Sequence, residues 1–351
     1  MIAATQTAGA YAAAPTLAQV NAYLGVETWE TVSACAACRS DAIGRFARIR
    51  GIAYDRCASC GFVFANPMPS DAALEQFYNS AFYDNYRVLE EDVIASRPYF
   101  SVSAYRDLRQ LAAWIEADRT AAILDYGCGP GSFLALLRDE FGYRNVEGLE
   151  LNRHSAEVAR RCYGLELAPE IGALRRKSYD VIVLFETIEH LSDPDAVVAH
   201  CARLLAPSGL LFVTTPSVRN LPARLFPSHC VHYTGPSHIS LFTEQALERL
   251  LARHGLAVRR LETDASTEVF GGYLARPFYD LDFTSPRDAA DTDDRLYTPT
   301  ALGRALNLRP TRAPGPLLKR ATKLDAFAAR AWRKLSGRSY SDHLYALAGR
   351  A

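Results

Sequence analysis

Apolar runs alternate with amphipathic stretches in a regular order along the middle of the chain. Runs such as "VIVLF" and "LLFVTT" are apolar or β-branched throughout, whereas the stretches between them place their apolar residues at helical spacing. Strands that are apolar on both faces are typical of a parallel sheet covered by helices. The pattern predicts a doubly wound α/β sheet, with a ligand at the carboxyl ends of its strands.

A glycine-rich turn follows the first of these strands, in "ILDYGCGPGSF". Asp125 stands at the end of the strand, and Gly127, Gly129 and Gly131 lead into a helix. Glycines at such a turn allow a ligand to approach the backbone closely. The G-x-G-x-x-G pattern of dinucleotide-binding folds is incomplete, because Ser132 stands at its third glycine position.

The next strand, in "VEGLELN", ends in an acidic residue, Glu150, which lies 19 positions beyond Gly131. A carboxylate at this place in a doubly wound fold can accept hydrogen bonds from both hydroxyls of a ribose. The turn and the acid together predict a nucleoside-containing ligand.

Four segments, "LDYGCGPG", "EGLELN", "YDVIVLFETIEHL" and "LLFVTTP", resemble the successive motifs of class I S-adenosylmethionine-dependent methyltransferases over about residues 120 to 262. The resemblance implies a Rossmann-like, mostly parallel sheet of seven strands. It also implies a cofactor site in which Asp125, Gly127 and Gly129 border the methionine part. Glu150 would bind the ribose and Leu151 the adenine, and the pocket would be closed by Phe185 and Glu186.

Aromatic residues in "NSAFYDNYR" lie just upstream, on what resembles the lid of this group. The faces of Tyr83 and Tyr86 could stabilise the cationic sulfonium of the cofactor by ~0.5–2 kcal/mol. Packing within an N-terminal helix pair explains these aromatics equally well.

Two Cys-x-x-Cys pairs, Cys35 with Cys38 and Cys57 with Cys60, stand at the spacing of a zinc ribbon. The residues between them alternate as two short strands would, with Gly51 at the turn. Four thiolates leave no open position for water, so a bound Zn²⁺ would be structural. The stretch "CASCGFVFANPMPSDAALEQFY" resembles the N-terminal zinc-binding segment of some sugar and natural-product methyltransferases.

Histidines cluster after the fifth strand, in "PSHCVHYTGPSHISLF". Methyl transfer to a hydroxyl or an enolisable carbon requires removal of a proton, which histidine can accept at neutral pH. His238 is the first candidate, because related carbon-methylating sugar enzymes carry a histidine before a similar strand; His232 is the second and His190, in "ETIEHL", the third. Each could instead be bound to the backbone. A metal site among the histidines is the least favoured interpretation.

The patterns divide the chain into five parts. They are a leader and zinc ribbon (1–70), a helical lid or linker (71–118), the methyltransferase core (119–265), a cap insertion that sets substrate choice (266–340), and a closing antiparallel strand (341–351). A short helix is predicted near residues 16–24. Within the cap, a basic amphipathic helix over about 317–335 could rest on a membrane or pack on its own domain.

Composition and charge narrow the range of functions that fit this sequence. The 351 residues include 39 basic and 39 acidic side chains, a balance unlike that of proteins whose main task is binding nucleic acid. No apolar run reaches the ~18 residues of a membrane span, and the first basic residue is Arg39, so no signal peptide is expected. Single, scattered cysteines are typical of a reducing compartment, so we expect a cytoplasmic protein. They are Cys128, Cys162, Cys201 and Cys230.

We therefore expect methyl transfer from S-adenosylmethionine to an oxygen or carbon atom, less readily nitrogen, of a small molecule such as a sugar, glycan or natural-product intermediate. Two alternatives stay open. One is a zinc-module enzyme acting on rRNA or tRNA, favoured by the arginines of the ribbon, and the other is a catalytically inactive docking protein. The arginines are Arg39, Arg45, Arg48, Arg50 and Arg56. The sequence does not indicate an oligomeric state.

Overall fold

The computed structural model describes residues 29–49, 51–80, 112–115, 117–219, 232–233, 236–264 and 343–351, together with positions 25, 94, 109, 279–281, 297–299 and 304–305. Several predicted features lie outside these residues. They are the helix near 16–24, Tyr83 and Tyr86, Cys230, and most of the insertion over 266–340 with its basic helix.

The secondary structure elements of the described residues fall into three parts along the chain. The N-terminal part contains β1 (Ile43–Ile49), β2 (Ile52–Cys57), β3 (Val63–Ala65) and α1 (Asp71–Tyr78). The middle part contains β4 (Ala122–Tyr126), α2 (Ser132–Asp139), β5 (Asn145–Leu149), α3 (Arg153–Tyr163), β6 (Tyr179–Phe185), α4 (Pro194–Leu204) and β7 (Leu205–Pro216). The remainder contains β8 (Ser240–Leu241), α5 (Glu244–Arg253), β9 (Leu256–Asp264), β10 (Tyr279–Leu281), β11 (Tyr297–Pro299) and β12 (His343–Arg350).

The central sheet has the strand order β5-β4-β6-β7-β12-β9. Strands β5, β4, β6 and β7 pair in parallel, and β12 lies antiparallel between β7 and β9. The predicted closing strand therefore forms and completes the sheet. The carboxyl ends of the four parallel strands meet at one edge, where a doubly wound fold binds its ligand.

The described residues form six strands of the central sheet, of the seven that were predicted. The place beyond β5 is taken by a single parallel bridge between Leu149 and Ala168. Ala168 N–H donates to the carbonyl of Gly148, and Glu150 N–H donates to the carbonyl of Ala168.

Side-chain caps begin the helices on which the site depends. Asn152 accepts a hydrogen bond from Ser155 N–H at the start of α3, Asp193 one from Ala196 N–H at α4, and Thr243 one from Ala246 N–H at α5. Such caps satisfy N–H groups that the first helical turn leaves without partners, and each stabilises the folded protein by about 1 kcal/mol. They fix where each strand-to-helix turn ends.

The N-terminal strands form a second, antiparallel sheet in the order β1-β2-β3-β8. Gly51, at φ +84°, makes the predicted turn between β1 and β2. The fourth strand, β8, follows β7 along the chain, so this sheet joins the N-terminal part to the segment between β7 and α5. Its side chains share one buried cluster with the central sheet, in which Phe62 packs against Phe242 with ring centroids 4.8 Å apart.

Candidate active site

The glycine turn after β4 has the backbone form that the sequence predicted. Gly127, Gly129 and Gly131 all have positive φ, at +77°, +54° and +79°, a region that side chains with a Cβ rarely adopt. A Cβ on Gly127 would lie 2.5 Å from Cγ2 of Thr187. The turn is therefore held close against the loop that follows β6, and its backbone forms one wall of the site.

Asp125, at the end of β4, is buried beneath this turn. Only 1% of its surface is exposed, and its Oδ1 has no hydrogen-bond partner among the described residues. Burial, together with the nearby carboxylate of Glu150, raises the pKa of Asp125 to about 8. A buried carboxyl group that lacks a partner is costly unless a cation or donor approaches it. Asp125 is thus placed to receive a positively charged ligand group.

Glu150 joins the turn after β4 to the turn after β5. Its Oε2 accepts a hydrogen bond of 2.7 Å from Gly129 N–H, and its Oε1 one of 2.7 Å from Asn152 N–H. A carboxylate oxygen can in general accept more than one hydrogen bond. The next residue, Leu151, is 58% exposed, which places an apolar side chain on the surface beside the carboxylate.

The end of β6 carries Phe185 and Glu186. Phe185 stacks on Phe133 of α2, with ring centroids 5.2 Å apart, and so supports the glycine turn by packing. Glu186 has φ +50° although it is not glycine. A residue with a Cβ is strained at a positive φ, and such strained residues cluster at functional sites.

Two residues that sequence reasoning missed hold the Glu186 carboxylate. Oε1 accepts a hydrogen bond of 2.7 Å from Oγ1 of Thr214, and Oε2 lies 2.8 Å from Nε2 of His343, at the start of β12. The threonines of "FVTTP" at the carboxyl end of a buried strand were a signal for the first contact. No local pattern could have indicated the second.

The structure brings His190 and His238 together, with ring centroids 4.8 Å apart. Nδ1 of His238 lies 2.9 Å from the carbonyl oxygen of His232, and Nδ1 of His190 lies 2.9 Å from that of Ser237. Carbonyl oxygens only accept hydrogen bonds, so each neutral ring carries its proton on Nδ1 and a lone pair on Nε2. His232 is buried and positions His238 through its backbone; its own ring lies 6.1 Å from that of His343.

Burial lowers the pKa of His238 to about 4, and the carboxylate of Glu186 only partly opposes this effect. The ring is therefore neutral at physiological pH. His190 also contacts the hydroxyl of Tyr78, 3.0 Å from its Nδ1. The histidine pair thus joins α1, the end of β6 and the approach to β8.

The four cysteines of the N-terminal sheet converge on one point. Sγ of Cys35 lies 3.6 Å from that of Cys60, and Sγ of Cys38 lies 3.6 Å from that of Cys57; all four sulfurs are within 4.8 Å of one another. A disulfide would need about 2.05 Å. A tetrahedron with Zn–S bonds of ~2.3 Å has edges of about 3.8 Å. The arrangement fits a metal ion and not a pair of disulfides.

Comparison with known proteins identifies the central sheet. Residues 99–261 match the family model described as a methyltransferase domain. This chain contains a methyltransferase domain. Relatives of that domain include ubiquinone biosynthesis O-methyltransferases of Photobacterium profundum and Bordetella avium, 33% identical over 113 residues and 32% identical over 129 residues.

These matches cover 30% and 34% of this chain and 47% and 51% of the two relatives. The chain therefore spans about half the length of the curated relatives it matches. Among solved structures, the cyclopropane synthase MmaA2 of Mycobacterium tuberculosis aligns with a TM-score of 0.48 at 15% identity, over 81% of this chain and 99% of that one. The magnesium protoporphyrin IX methyltransferase of Synechocystis, with bound SAH, aligns with a TM-score of 0.43 at 16% identity, over 56% and 94%.

The N-terminal sheet is bound to the segment of the methyltransferase domain that carries His238. The hydroxyl of Tyr54, in β2, donates a hydrogen bond of 2.9 Å to the carbonyl of His238. Ala65 N–H donates to the carbonyl of Ile239, and Oγ1 of Thr243 donates to that of Cys60. The N-terminal sheet that carries the cysteines thus contacts the backbone on both sides of β8.

The arginines of the N-terminal sheet make contacts within the chain. Arg39 forms an ion pair with Asp195, Arg45 lies 3.1 Å from a carboxylate oxygen of Asp55, and Arg48 donates to the carbonyl of Gly51. The guanidinium carbon of Arg56 lies 5.9 Å from the ring centroid of Phe46. Arg50 lies outside the described residues. No helix within the described ranges is long and apolar enough to cross a membrane.

Proposed function

We propose that the protein transfers the methyl group of S-adenosylmethionine to an oxygen atom of a small-molecule acceptor. One observation carries the proposal. Asp125, whose carboxyl group has no described partner, and Glu150, an acid placed to bind a ribose, lie at the carboxyl edge of the sheet. Two histidine nitrogens that bear lone pairs lie at the same edge. The relatives are named as O-methyltransferases, which favours oxygen over carbon as the atom that receives the methyl group.

The residues at the edge of β4 and β5 fit this cofactor. Asp125 offers an uncompensated buried carboxyl group to the ammonium of the methionine part, and the Gly127 turn is a cradle that a Cβ would obstruct. Glu150 can bind the two ribose hydroxyls while it holds the turn, and Leu151 offers an apolar surface to adenine. The bound cofactor supplies a methyl group on a cationic sulfur.

The acceptor hydroxyl would lie between this cofactor and the pair formed by His190 and His238. Nε2 of a neutral histidine would accept the hydroxyl proton and so make the acceptor oxygen nucleophilic. The cofactor would supply the methyl group to that oxygen, and its sulfur would keep the electron pair of the C–S bond as a neutral thioether. Alignment of oxygen, carbon and sulfur contributes most of the acceleration. A general base contributes about 10²–10⁴-fold, and the low pKa of His238 places its contribution at the lower end of that range.

The cysteine cluster would hold a structural Zn²⁺. Four thiolates fill a tetrahedral site, so no position is left for a substrate. The apolar side chains of the N-terminal sheet are buried in a cluster shared with the central sheet, and metal binding would add to the folding energy of this module. In this proposal the zinc keeps β3 and β8 paired and thereby keeps the His238 segment in place.

A nucleic-acid substrate is the weaker candidate. The four ribbon arginines within the described residues are engaged with the chain itself, and the formal net charge of the protein is zero. Nucleic-acid binding usually requires an uncompensated basic surface. A carbon acceptor is the second candidate, because the same histidines could remove a proton from an acidic C–H group.

Calorimetric titration with S-adenosylmethionine, its demethylated product and NAD⁺ tests the cofactor assignment. We expect the first two to bind and NAD⁺ not to bind; equal binding of NAD⁺, or none of the three, would overturn the proposal. A screen of hydroxylated acceptors then measures the demethylated product. His238→Ala should lower turnover about 10²-fold with unchanged cofactor affinity, and His200→Ala, in α4, is the matched control.

A further inference from the structure

We propose that Glu189, His190 and His238 bind a divalent transition-metal ion beside the acceptor position. One ligand atom from each of these side chains lies within 4.8 Å of the others. Two imidazoles and one carboxylate form a ligand set suited to first-row divalent ions such as Fe²⁺, Co²⁺ and Zn²⁺. The sequence did not favour a metal among the histidines, and the carboxylate of Glu189 is what the structure adds.

Glu189 is the most informative member of the three. Its surface is 0% exposed, and one carboxylate oxygen, Oε2, accepts a hydrogen bond of 2.9 Å from Oγ1 of Thr215. The other, Oε1, has no hydrogen-bond partner among the described residues and lies 3.8 Å from Nε2 of His190. A buried carboxylate oxygen normally has a donor or a cation beside it. Here a histidine nitrogen faces it.

The two histidines have the orientation found in metal ligands. A metal-binding histidine usually donates its second N–H to a backbone carbonyl or carboxylate, which fixes the ring and leaves a lone pair for the metal. His190 makes this contact with the carbonyl of Ser237, and His238 makes it with that of His232, both at 2.9 Å. Neither contact requires a charged ring.

The three side chains are close enough to share one ion. A carboxylate oxygen and two imidazole nitrogens are all suitable ligands for a divalent cation placed between them. Bonds of ~2.1 Å in a tetrahedral site separate the ligand atoms by about 3.4 Å. The 3.8 Å between Oε1 of Glu189 and Nε2 of His190 is close to that value, so small side-chain rotations complete the site.

This site differs from the cysteine cluster in its chemistry. Nitrogen and oxygen ligands with only three protein donors leave positions open for a further ligand, as catalytic metal sites do. If the protein acts as proposed above, the open positions would bind the acceptor, which favours molecules with two adjacent oxygen atoms that can chelate the ion. A bound ion would lower the pKa of the acceptor hydroxyl, so in the metal-bound protein it would replace the histidine base proposed above.

Titration of the zinc-loaded, full-length protein with Co²⁺ alone tests this proposal, because it needs neither cofactor nor acceptor. We expect one Co²⁺ per chain beyond the zinc of the cysteine cluster, with an absorption spectrum that lacks a sulfur-to-cobalt charge-transfer band. Glu189→Gln keeps the shape of the side chain and should weaken binding at least tenfold. His238→Ala should do the same, and His200→Ala should leave binding unchanged.

Several outcomes would overturn the proposal. One is the absence of any Co²⁺ bound in addition to the zinc of the cysteine cluster. Another is a charge-transfer band that assigns the bound Co²⁺ to sulfur, and a third is a Co²⁺ affinity of Glu189→Gln and His238→Ala that equals that of the wild type. Binding of the demethylated cofactor to each variant shows that the protein is folded. Failure of Co²⁺ binding with intact cofactor binding rejects this site alone, whereas Co²⁺ binding without cofactor binding rejects the proposed function alone.

Discussion

The cofactor half and the acceptor half of the site are built in different ways. The cofactor half lies within one β-α-β unit, where Glu150 fastens the turn after β4 to the turn after β5 through two backbone N–H groups. The acceptor half combines the carboxyl ends of β6 and β7, the start of β12 and the segment just before β8. Tyr54 of the N-terminal sheet donates a hydrogen bond to that segment. The first half should therefore tolerate damage to the N-terminal sheet, and the second should not.

The strongest test of this difference is the loss of the cysteine cluster. Cys57→Ser should release the metal and melt the N-terminal sheet, since a structural zinc site contributes on the order of 10 kcal/mol to folding of a small module. Methyl transfer should fall more than a hundredfold, because β8 loses its partner strand. Affinity for the demethylated cofactor should change only a few-fold, as measured by calorimetry.

Cys162→Ser is the matched control for that variant, because this cysteine lies exposed on α3. It should keep its metal and its activity. A metal-free Cys57→Ser protein with full activity would contradict the structural role of the cluster. An equal loss of cofactor affinity and turnover would show that the two halves do not separate.

Within the cofactor half, Glu150→Ala should have the largest effect. Loss of charge-assisted hydrogen bonds to the ribose, and of the bonds that hold the Gly129 turn, should weaken cofactor binding by ~2–3 kcal/mol. Glu157→Ala is a suitable control, because this acid on α3 forms only exposed ion pairs in the described structure, with Arg160 and Arg161. Unchanged affinity in Glu150→Ala would reject the ribose assignment.

The same difference explains how much the sequence predicts. The candidate residues of the cofactor half stand in short motifs. Asp125 and Gly129 are therefore named by resemblance to a methyltransferase motif, and Glu150 by its place after the next strand. The cysteine pairs are equally local. In the acceptor half, Glu186 meets His343 across 157 positions and Tyr54 meets His238 across 184.

Contacts between such distant positions depend on strand order and register, which no local pattern encodes. His190 could be predicted because it stands in a recognisable motif, but Glu189 beside it could not. Its importance comes from burial and from an oxygen without a described partner.

Asp125 should give a smaller effect with a characteristic pH dependence. Its pKa of about 8 lies above the ordinary value near 4, so between these values the folded protein holds a proton that the unfolded chain has released. The free energy of unfolding therefore falls as pH rises through this window. Asp125→Asn removes this contribution, and its stability should depend less on pH between about 4 and 8.

Cofactor binding should show the opposite trend. The ammonium of S-adenosylmethionine favours ionised Asp125, so wild-type affinity should rise between pH 5.5 and 7.5. Asp125→Asn should bind about tenfold more weakly at the upper limit and show no such rise. Asp180→Asn, at the other end of the sheet, is the control. A parallel rise in Asp125→Asn would assign the pH dependence to another group.

The smallest effect should separate the two halves most clearly. Tyr54→Phe removes one hydrogen bond, worth ~0.5–1.5 kcal/mol, from the carbonyl of His238 and leaves the ring in place. We expect turnover to fall about two- to tenfold with unchanged cofactor affinity, because only the histidine segment loses support. Tyr163→Phe removes the hydroxyl that lies 3.0 Å from Oγ of Ser132, at the start of α2, and should change cofactor affinity rather than turnover. A reversal of these two phenotypes would contradict the assignment of the N-terminal sheet to the acceptor half.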